Sequence, residues 1–362
     1  MPGNPPASTG TTVTILGAGA MGSALATPLR QRGHSVRLWG TWLDDDVLDL
    51  VAAGAPHPRT DVHVAEGTQL FRSDELEAAL TGSDLVFLAV ASEGVDAVVR
   101  RAAPWLSTVG VLGLTSKGFL ADPSGAIRLL PDAIRRHFSE AELAAPSIVA
   151  VGGPCKANEV AAGGPTATVY GCSDVDVARS VAALIQTDSY HVEPIADDLG
   201  LEVAAPLKNV FAIALGFADG LADATSHPWH NLKSAIFAQS VREMSIVARG
   251  IGGSIDTVYG LAGTGDLEVT GLSGRNKVYG SRIGAGQTAH DALETMVAEK
   301  QTVEGVPAAG LAVALAAQLF DDAESRLPLL HAVHRMISGA GDPLTELSAA
   351  ALPPVVVAEA RR

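Results

Sequence analysis

The chemistry open to this chain rests on a few charged side chains set in apolar or glycine-rich surroundings. Lys208 lies in Ala204-Ala205-Pro206-Leu207-Lys208-Asn209-Val210-Phe211-Ala212-Ile213, a run otherwise almost wholly apolar. Burying an amine in such a helix disfavours its charged form and makes it a usable proton donor or acceptor near neutral pH. The plainer reading is a lysine that snorkels out of an interface. Lys117, in Thr115-Ser116-Lys117-Gly118, directly follows the apolar run 109–114. It therefore falls at the carboxyl end of a strand, where open α/β sheets bind their ligands. Asp266 sits in Gly263-Thr264-Gly265-Asp266-Leu267, and Arg275-Asn276 follow in Ser273-Gly274-Arg275-Asn276-Lys277. The planar fork of an arginine matches a phosphate with two parallel hydrogen bonds, although a plain surface position explains Arg275 equally well when it is taken alone.

A second constellation is Gly17-Ala18-Gly19-Ala20-Met21-Gly22, a GxGxxG turn. It follows the apolar strand 13–16 and opens a helix over 23–32, the context a dinucleotide-binding turn requires. Gly17 allows the tight turn, Gly19 lets the backbone approach a pyrophosphate, and Gly22 lets helix and strand pack closely. The helix N-terminus offers free N–H groups and a positive dipole end to the phosphates. The acidic residue that would hold the ribose about 20 residues after the first glycine is missing at Trp39-Gly40-Thr41; Asp44, Asp45 and Asp46 come a little later. They are either ribose ligands or the acidic start of a helix. No arginine or lysine in this turn meets a 2′-phosphate, so the reading favours NAD over NADP.

These residues need a scaffold, and composition limits which. Of 362 residues, 47% are hydrophobic, 18% charged and only 4% aromatic, with 38 glycines, so the core is built from small and β-branched side chains, as in a parallel α/β sheet. The formal charge of −15 makes the chain a poor match for nucleic acid or an anionic membrane surface, and any anion it binds needs a local basic pocket. Cys155 and Cys172 form no CxxC or Cys/His pattern and read as small buried hydrophobes. His331 and His334 are three apart on a helix with no third ligand, so no metal site is expected. Up to about residue 150, apolar runs at 13–16, 35–39, 85–90, 109–114 and 147–152 alternate with helical segments, the pattern of βαβ units. Beyond about 198 the texture is helical, over 201–222, 231–250, 288–297, 307–320 and 327–338. The expected class is therefore α/β: a parallel-rich doubly wound sheet in a dinucleotide-binding domain over 12–198, then an all-helical domain over 199–348. Residues 1–11 and 352–362 read as loose tails, 1–11 having no signal-peptide character, and no stretch reads as a membrane span, which makes the cytoplasm the simplest location.

Taken in order, the segments 15–22, 115–118, 153–161 (GPCKANEVA), 200–220 around LKNV, 260–270 (GLAGTGDLEVT), 273–276 and 303–305 (VEG) resemble the NAD(P)-dependent glycerol-3-phosphate dehydrogenase family over nearly the whole chain, from about 13 to 347. The resemblance implies a Rossmann domain followed by a helical domain. It implies an oxidoreductase that reversibly reduces dihydroxyacetone phosphate to sn-glycerol 3-phosphate with NAD, NADP remaining possible, and a homodimer. Carried over residue by residue, it makes Lys208 the proton donor and acceptor. Lys117 becomes a catalytic lysine that contacts substrate near the cofactor, and Asp266 the acidic residue of the catalytic and substrate site. Gly153, Cys155, Gly274, Arg275 and Asn276 fall at the substrate, with Arg275-Asn276 on its phosphate. Gly17, Gly19, Ala20, Met21, Gly22, Lys117, Ala157, Arg275 and Glu304 fall on the cofactor side.

The chain departs from the family pattern in places. The loop reads Gly153-Pro154-Cys155-Lys156-Ala157-Asn158-Glu159 where bacterial members often read GPSFAKE. Ala20-Met21 replaces Ser/Ala-Trp, Thr41 stands where an arginine is frequent, and the segment 224–230 (ATSHPWH) is longer and more aromatic than usual. These changes leave room for another 2-oxo phosphate or a 2-oxo acid as substrate. A dinucleotide-binding regulator without turnover is the remaining alternative, and retention of Lys117, Lys208, Asp266, Arg275 and Asn276 together argues against it.

Overall fold

The computed structural model describes residues 10–353 and divides the chain into two compact units, 1–122 with 128–202, and 123–127 with 203–362. Most of both expected tails lies outside the described residues. Where the described chain begins, Thr11 is already held, its carbonyl accepting from Ser35 N–H at 3.1 Å, and at the other end Leu352 N–H caps the last helix on Ser348.

The strands are β1 (Thr12–Leu16), β2 (Ser35–Trp39), β3 (Gln69–Phe71), β4 (Leu85–Leu88), β5 (Val111–Leu114), β6 (Phe119–Ala121), β7 (Ile127–Leu129), β8 (Ser147–Gly152), β9 (Thr166–Gly171) and β10 (Tyr190–Ile195). Eight of them form one sheet in the order β10-β9-β8-β5-β4-β1-β2-β3, and β6 pairs with β7. Every pairing in the large sheet is parallel except β8 with β9. Side chains alternate across it, as the two-residue period of a strand demands. Val13, Ile15, Leu85, Phe87, Val149 and Val151 enter one core with the helices Ala20–Gln31 and Val175–Ile185. Leu16, Val86, Leu88 and Ile148 enter a second core with Ser92–Leu106 and Leu130–Glu140. This is the doubly wound α/β fold. From β1 the chain winds outward to β2 and β3, then returns to β4 beside β1, so the switch point of the sheet lies between β1 and β4.

Among the described residues from 203 onward the second unit contributes helices only, from the long Asp198–Thr225, which begins in the first unit, through His230–Gly250 and Arg275–Gly284 to Gly305–Leu319 and Pro343–Ala351. Asp198–Thr225 is long and apolar enough to cross a membrane by length and composition, which corrects the expectation that no stretch has that character; its apolar window is wholly buried, as in the core helix of a globular protein. Two helices of this unit meet backbone to backbone. A Cβ at Gly216 would fall 2.0 Å from Lys277 O, and one at Gly280 would fall 1.9 Å from Ile213 O, so only glycine admits this crossing. The crossing presses the helix that carries Lys208 against the helix that begins with Arg275-Asn276.

Candidate active site

The glycine turn leaves the carboxyl end of β1 at the switch point. Gly17 has φ +115°, and its Cβ would lie 2.8 Å from Ala89 O beyond β4; a Cβ at Gly22 would lie 2.0 Å from Gly17 O. Both positions are closed to any side chain. Gly19 is different. It is the N-cap of Ala20–Gln31, no side chain caps that helix, and a Cβ there meets nothing within 4 Å. An uncapped helix N-terminus with open space at its N-cap residue is the kind of cradle that a dinucleotide pyrophosphate requires. The Ala18 carbonyl points the other way, accepting from Ser23 Oγ at 3.3 Å and from Nε2 of His57 at 3.1 Å.

At the ribose end, Asp44 Oδ2 accepts from both Thr41 N–H and Thr41 Oγ1, each at 2.8 Å, closing the turn after β2. Asp45 and Asp46 open the helix Asp45–Ala52. Arg72, just past β3, pairs with Asp49 and lies 3.6 Å from Asp45. Asp44 thus closes the turn, and Asp45 and Asp46 stand in the first turn of the helix that follows.

Lys117 lies in the first unit, on the loop after β5. Thr115 donates its N–H and Oγ1–H to Leu88 O, and Ser116 Oγ–H donates to Val90 O at 2.6 Å, so this loop is tied to the one after β4. Its charge acts on Glu202, which is fully buried. Burial pushes the Glu202 carboxyl well above the usual range and Asp198 adds to this, while Lys117 and Arg135 oppose it. Gly153, at φ +102°, begins the loop after β8. Further along that loop Cys155 turns its thiol to the core, 4.0 Å from the Tyr190 hydroxyl, and Ala157 packs against the same core.

The second unit brings its site residues together. Lys208 and Asp266 form an ion pair, 8% and 1% exposed, so the carboxylate compensates the buried ammonium. Asp266 follows a widened π turn, Leu261–Gly265, and its carbonyl accepts from Thr270 Oγ1 at 2.6 Å. One residue beyond Lys208, Asn209 donates its side-chain N–H to Glu304 Oε2 at 3.2 Å, while the other oxygen of Glu304 pairs with Arg275 at 2.9 Å. Asn276 Oδ1 accepts from Gly305 N–H at 2.8 Å, which leaves its NH2 group as a donor. A Cβ at Gly305 would lie 2.5 Å from Asn209 O, so the glycine of the VEG segment lets the helix Gly305–Leu319 begin against the Lys208 helix. Gly274 is the N-cap before Arg275. The arrangement offers a buried proton-handling pair beside a half-exposed guanidinium.

Three residues escaped the reading of the sequence. Asn209 stands in LKNV, where nothing in the run itself gives it a role; its partner Glu304 lies 95 residues away in the chain. Glu202 carries the same signal that singled out Lys208, a charge inside an apolar helical run. His57 carries none, since its partner Ala18 is 39 residues away in the chain.

A pyrophosphate cradle at the switch point, in one chain with a buried amine–carboxylate pair, defines the class: a dinucleotide-dependent oxidoreductase. Residues 12–178 match the family model described as the NAD-dependent glycerol-3-phosphate dehydrogenase N-terminus, and residues 197–348 match that of the C-terminus. The NADP(+)-dependent glycerol-3-phosphate dehydrogenase of Archaeoglobus fulgidus is 34% identical over 328 residues, covering 90% of this chain and 94% of that protein. The glycerol-3-phosphate dehydrogenase [NAD(P)+] of Halorhodospira halophila is 31% identical, covering 91% and 92%. The crystal structure of glycerol-3-phosphate dehydrogenase from Coxiella burnetii superposes with a TM-score of 0.79 at 28% identity, covering 94% of this chain and 98% of that one. The chain belongs to the NAD-dependent glycerol-3-phosphate dehydrogenase family.

Proposed function

We propose that this enzyme reversibly reduces dihydroxyacetone phosphate to sn-glycerol 3-phosphate, with Lys208 as the proton donor and acceptor. The observation that carries the reading is the buried Lys208–Asp266 pair, held in one helical unit with Asn209, Arg275, Asn276 and Glu304. The dinucleotide, when bound, supplies or accepts the hydride at the substrate's C2. Reduction leaves negative charge on the former carbonyl oxygen, and the Lys208 ammonium donates a proton to it. Asp266 orients that ammonium and offsets its desolvation. Arg275 and the Asn276 NH2 group grip the phosphate, which fixes the carbonyl and turns binding into orientation. Lys117 contacts the substrate from the loop after β5, and Gly153 and Ala157 line the loop that meets substrate and cofactor. The inward turn of the Cys155 thiol supports a packing role in that loop.

We infer a cytoplasmic homodimer. The test is turnover by the purified protein with dihydroxyacetone phosphate and either NADH or NADPH, run beside a panel of 2-oxo phosphates and 2-oxo acids. Turnover confined to another member of the panel would replace the substrate, and dinucleotide binding without any turnover would replace the enzyme by a regulator.

A further inference from the structure

We propose that His57 is a positioning residue for the cofactor: by holding the Ala18 carbonyl it aims the Gly19 N–H at the pyrophosphate of the dinucleotide. The inference rests on the dinucleotide reading of the glycine turn and adds to it a residue outside the motif.

The imidazole is 1% exposed and both of its nitrogens are engaged. Nδ1 lies 3.2 Å from the Arg59 backbone nitrogen, and Nε2 lies 3.1 Å from the Ala18 carbonyl oxygen. A backbone N–H only donates, so Nδ1 carries the lone pair. The proton is therefore on Nε2, where it is donated to Ala18. This fixes one tautomer of a neutral ring. The Ala18–Gly19 peptide is planar and trans, so its C=O and N–H point in opposite directions. Drawing the carbonyl toward His57 and Ser23 turns the Gly19 N–H away from them. The Ala18 carbonyl is held from outside the turn by a loop of 16 residues that joins Asp45–Ala52 to β3.

The same geometry makes the hold sensitive to acid. A second proton, on Nδ1, would set an N–H against the Arg59 N–H and break the contact that seats the ring. The charged groups that act on His57 are Arg59, on its own loop, and Asp44, on the turn after β2. Burial is the largest influence and holds the imidazole below its ordinary range; Arg59 acts in the same sense, while the Ala18 bond, Asp44 and a bond to the backbone of His57 itself oppose it. Dinucleotide affinity therefore declines only in mild acid, below the ordinary titration range of histidine.

The experiment is calorimetric titration of the full chain with NADH and with NADPH, from about pH 8 to about pH 5, for wild type, His57→Leu and His57→Gln. Glutamine keeps a side-chain N–H where Nε2 stands and does not titrate. The expected result is a Kd raised roughly five- to tenfold in His57→Leu, the size of one lost hydrogen bond with Ser23 still in place. The KM for dihydroxyacetone phosphate stays within about twofold. His57→Gln binds nearly as wild type near neutrality and loses the acid decline. Equal dinucleotide affinity in His57→Leu and wild type would overturn the proposal. So would a parallel rise of both KM values with a lowered melting temperature, or His57→Gln binding as weakly as His57→Leu. Should His57→Leu fail to fold, the acid decline decides: the same decline in wild type and His57→Gln overturns the role. A wild type that binds neither dinucleotide would remove the reading of the glycine turn itself, a result distinct from all of these.

Discussion

Replacing Lys208 by methionine separates what the Lys208–Asp266 pair does for the fold from what it does for the reaction. The side chain keeps its length and loses its charge, and the buried carboxylate of Asp266, 1% exposed, loses the ammonium it pairs with. Removing one partner of a buried pair costs about 3–5 kcal/mol, a large share of the ~5–15 kcal/mol that holds a domain folded. Lys208→Met should therefore melt well below wild type. The double variant Lys208→Met/Asp266→Asn removes both charges and should recover most of that loss. Activity will not follow. A proton donor contributes roughly 10²- to 10⁴-fold, or about 3–5 kcal/mol of barrier, and the double variant still has none. Steady-state oxidation of NADH or NADPH with dihydroxyacetone phosphate, followed by absorbance beside denaturant melts of the same samples, reads both quantities. If the refolded double variant turned over within about threefold of wild type, Lys208 would have no part in proton transfer.

Arg275→Ala should raise the KM for dihydroxyacetone phosphate roughly 10- to 100-fold, the worth of a charge-assisted hydrogen bond to phosphate. It should barely change the melting temperature, because its pair with Glu304 is half exposed and such pairs contribute ~0–1 kcal/mol; an unchanged KM would place the phosphate elsewhere. Gly19→Val should fold normally, since its Cβ enters open space, yet lose dinucleotide affinity by more than about tenfold, and undiminished binding would mean that the cradle is not the phosphate site. Glu243 gives a pH-dependent stability. Its carboxylate accepts from the N–H groups of Leu329 and Leu330 at 2.7 and 2.8 Å, and burial, the largest influence, raises it from 4.5 to about 7 against those bonds. The folded state then holds the extra proton between these values, so stability is fully present below the lower one and is lost as pH rises through about 7, by ~3 kcal/mol in all. Glu243→Gln should remove that slope from denaturant melts at about pH 4 to about pH 8, and a slope that survives would assign it to another group.

The fold was legible where burial is symmetric. β1, β4, β5 and β8 are covered on both faces and read as continuous apolar runs, which is how a central parallel strand must look. Their ends shifted for local reasons. The run 109–114 starts pairing only at Val111, because Val109 N–H still closes the preceding helix on Leu106 O. β3 and β10, at the edges of the sheet, were not visible, and neither was the interior β9, Thr166–Gly171. Gln69–Phe71 spans three residues, and Tyr190–Ile195 carries His191, Glu193 and Pro194, a composition that an edge strand tolerates and a sequence pattern does not reveal. The glycines at 216 and 280 were equally silent, since a close crossing shows only when the opposing carbonyl is in place.

The site follows the same division between what a residue is and what it meets. Lys208 could be found because a charge in an apolar helix is anomalous by itself, whatever its partner. That argument identifies a desolvated amine and does not supply the carboxylate, which comes from Asp266, 58 residues later. Applied evenly, it would also have marked Glu202 in the same helical run, where burial raises the carboxyl and Lys117 opposes the shift. Chemical type decided the difference: a lysine suggested a proton donor at once, while a buried glutamate suggested nothing without its neighbours. His57 marks the limit of such reading. It lies in an ordinary polar loop, and only closure of that loop onto the glycine turn gives its Nε2 a carbonyl to hold. A motif thus announces the backbone that touches a ligand, because that backbone constrains its own sequence, whereas the residues that aim it are free to come from anywhere the fold can reach.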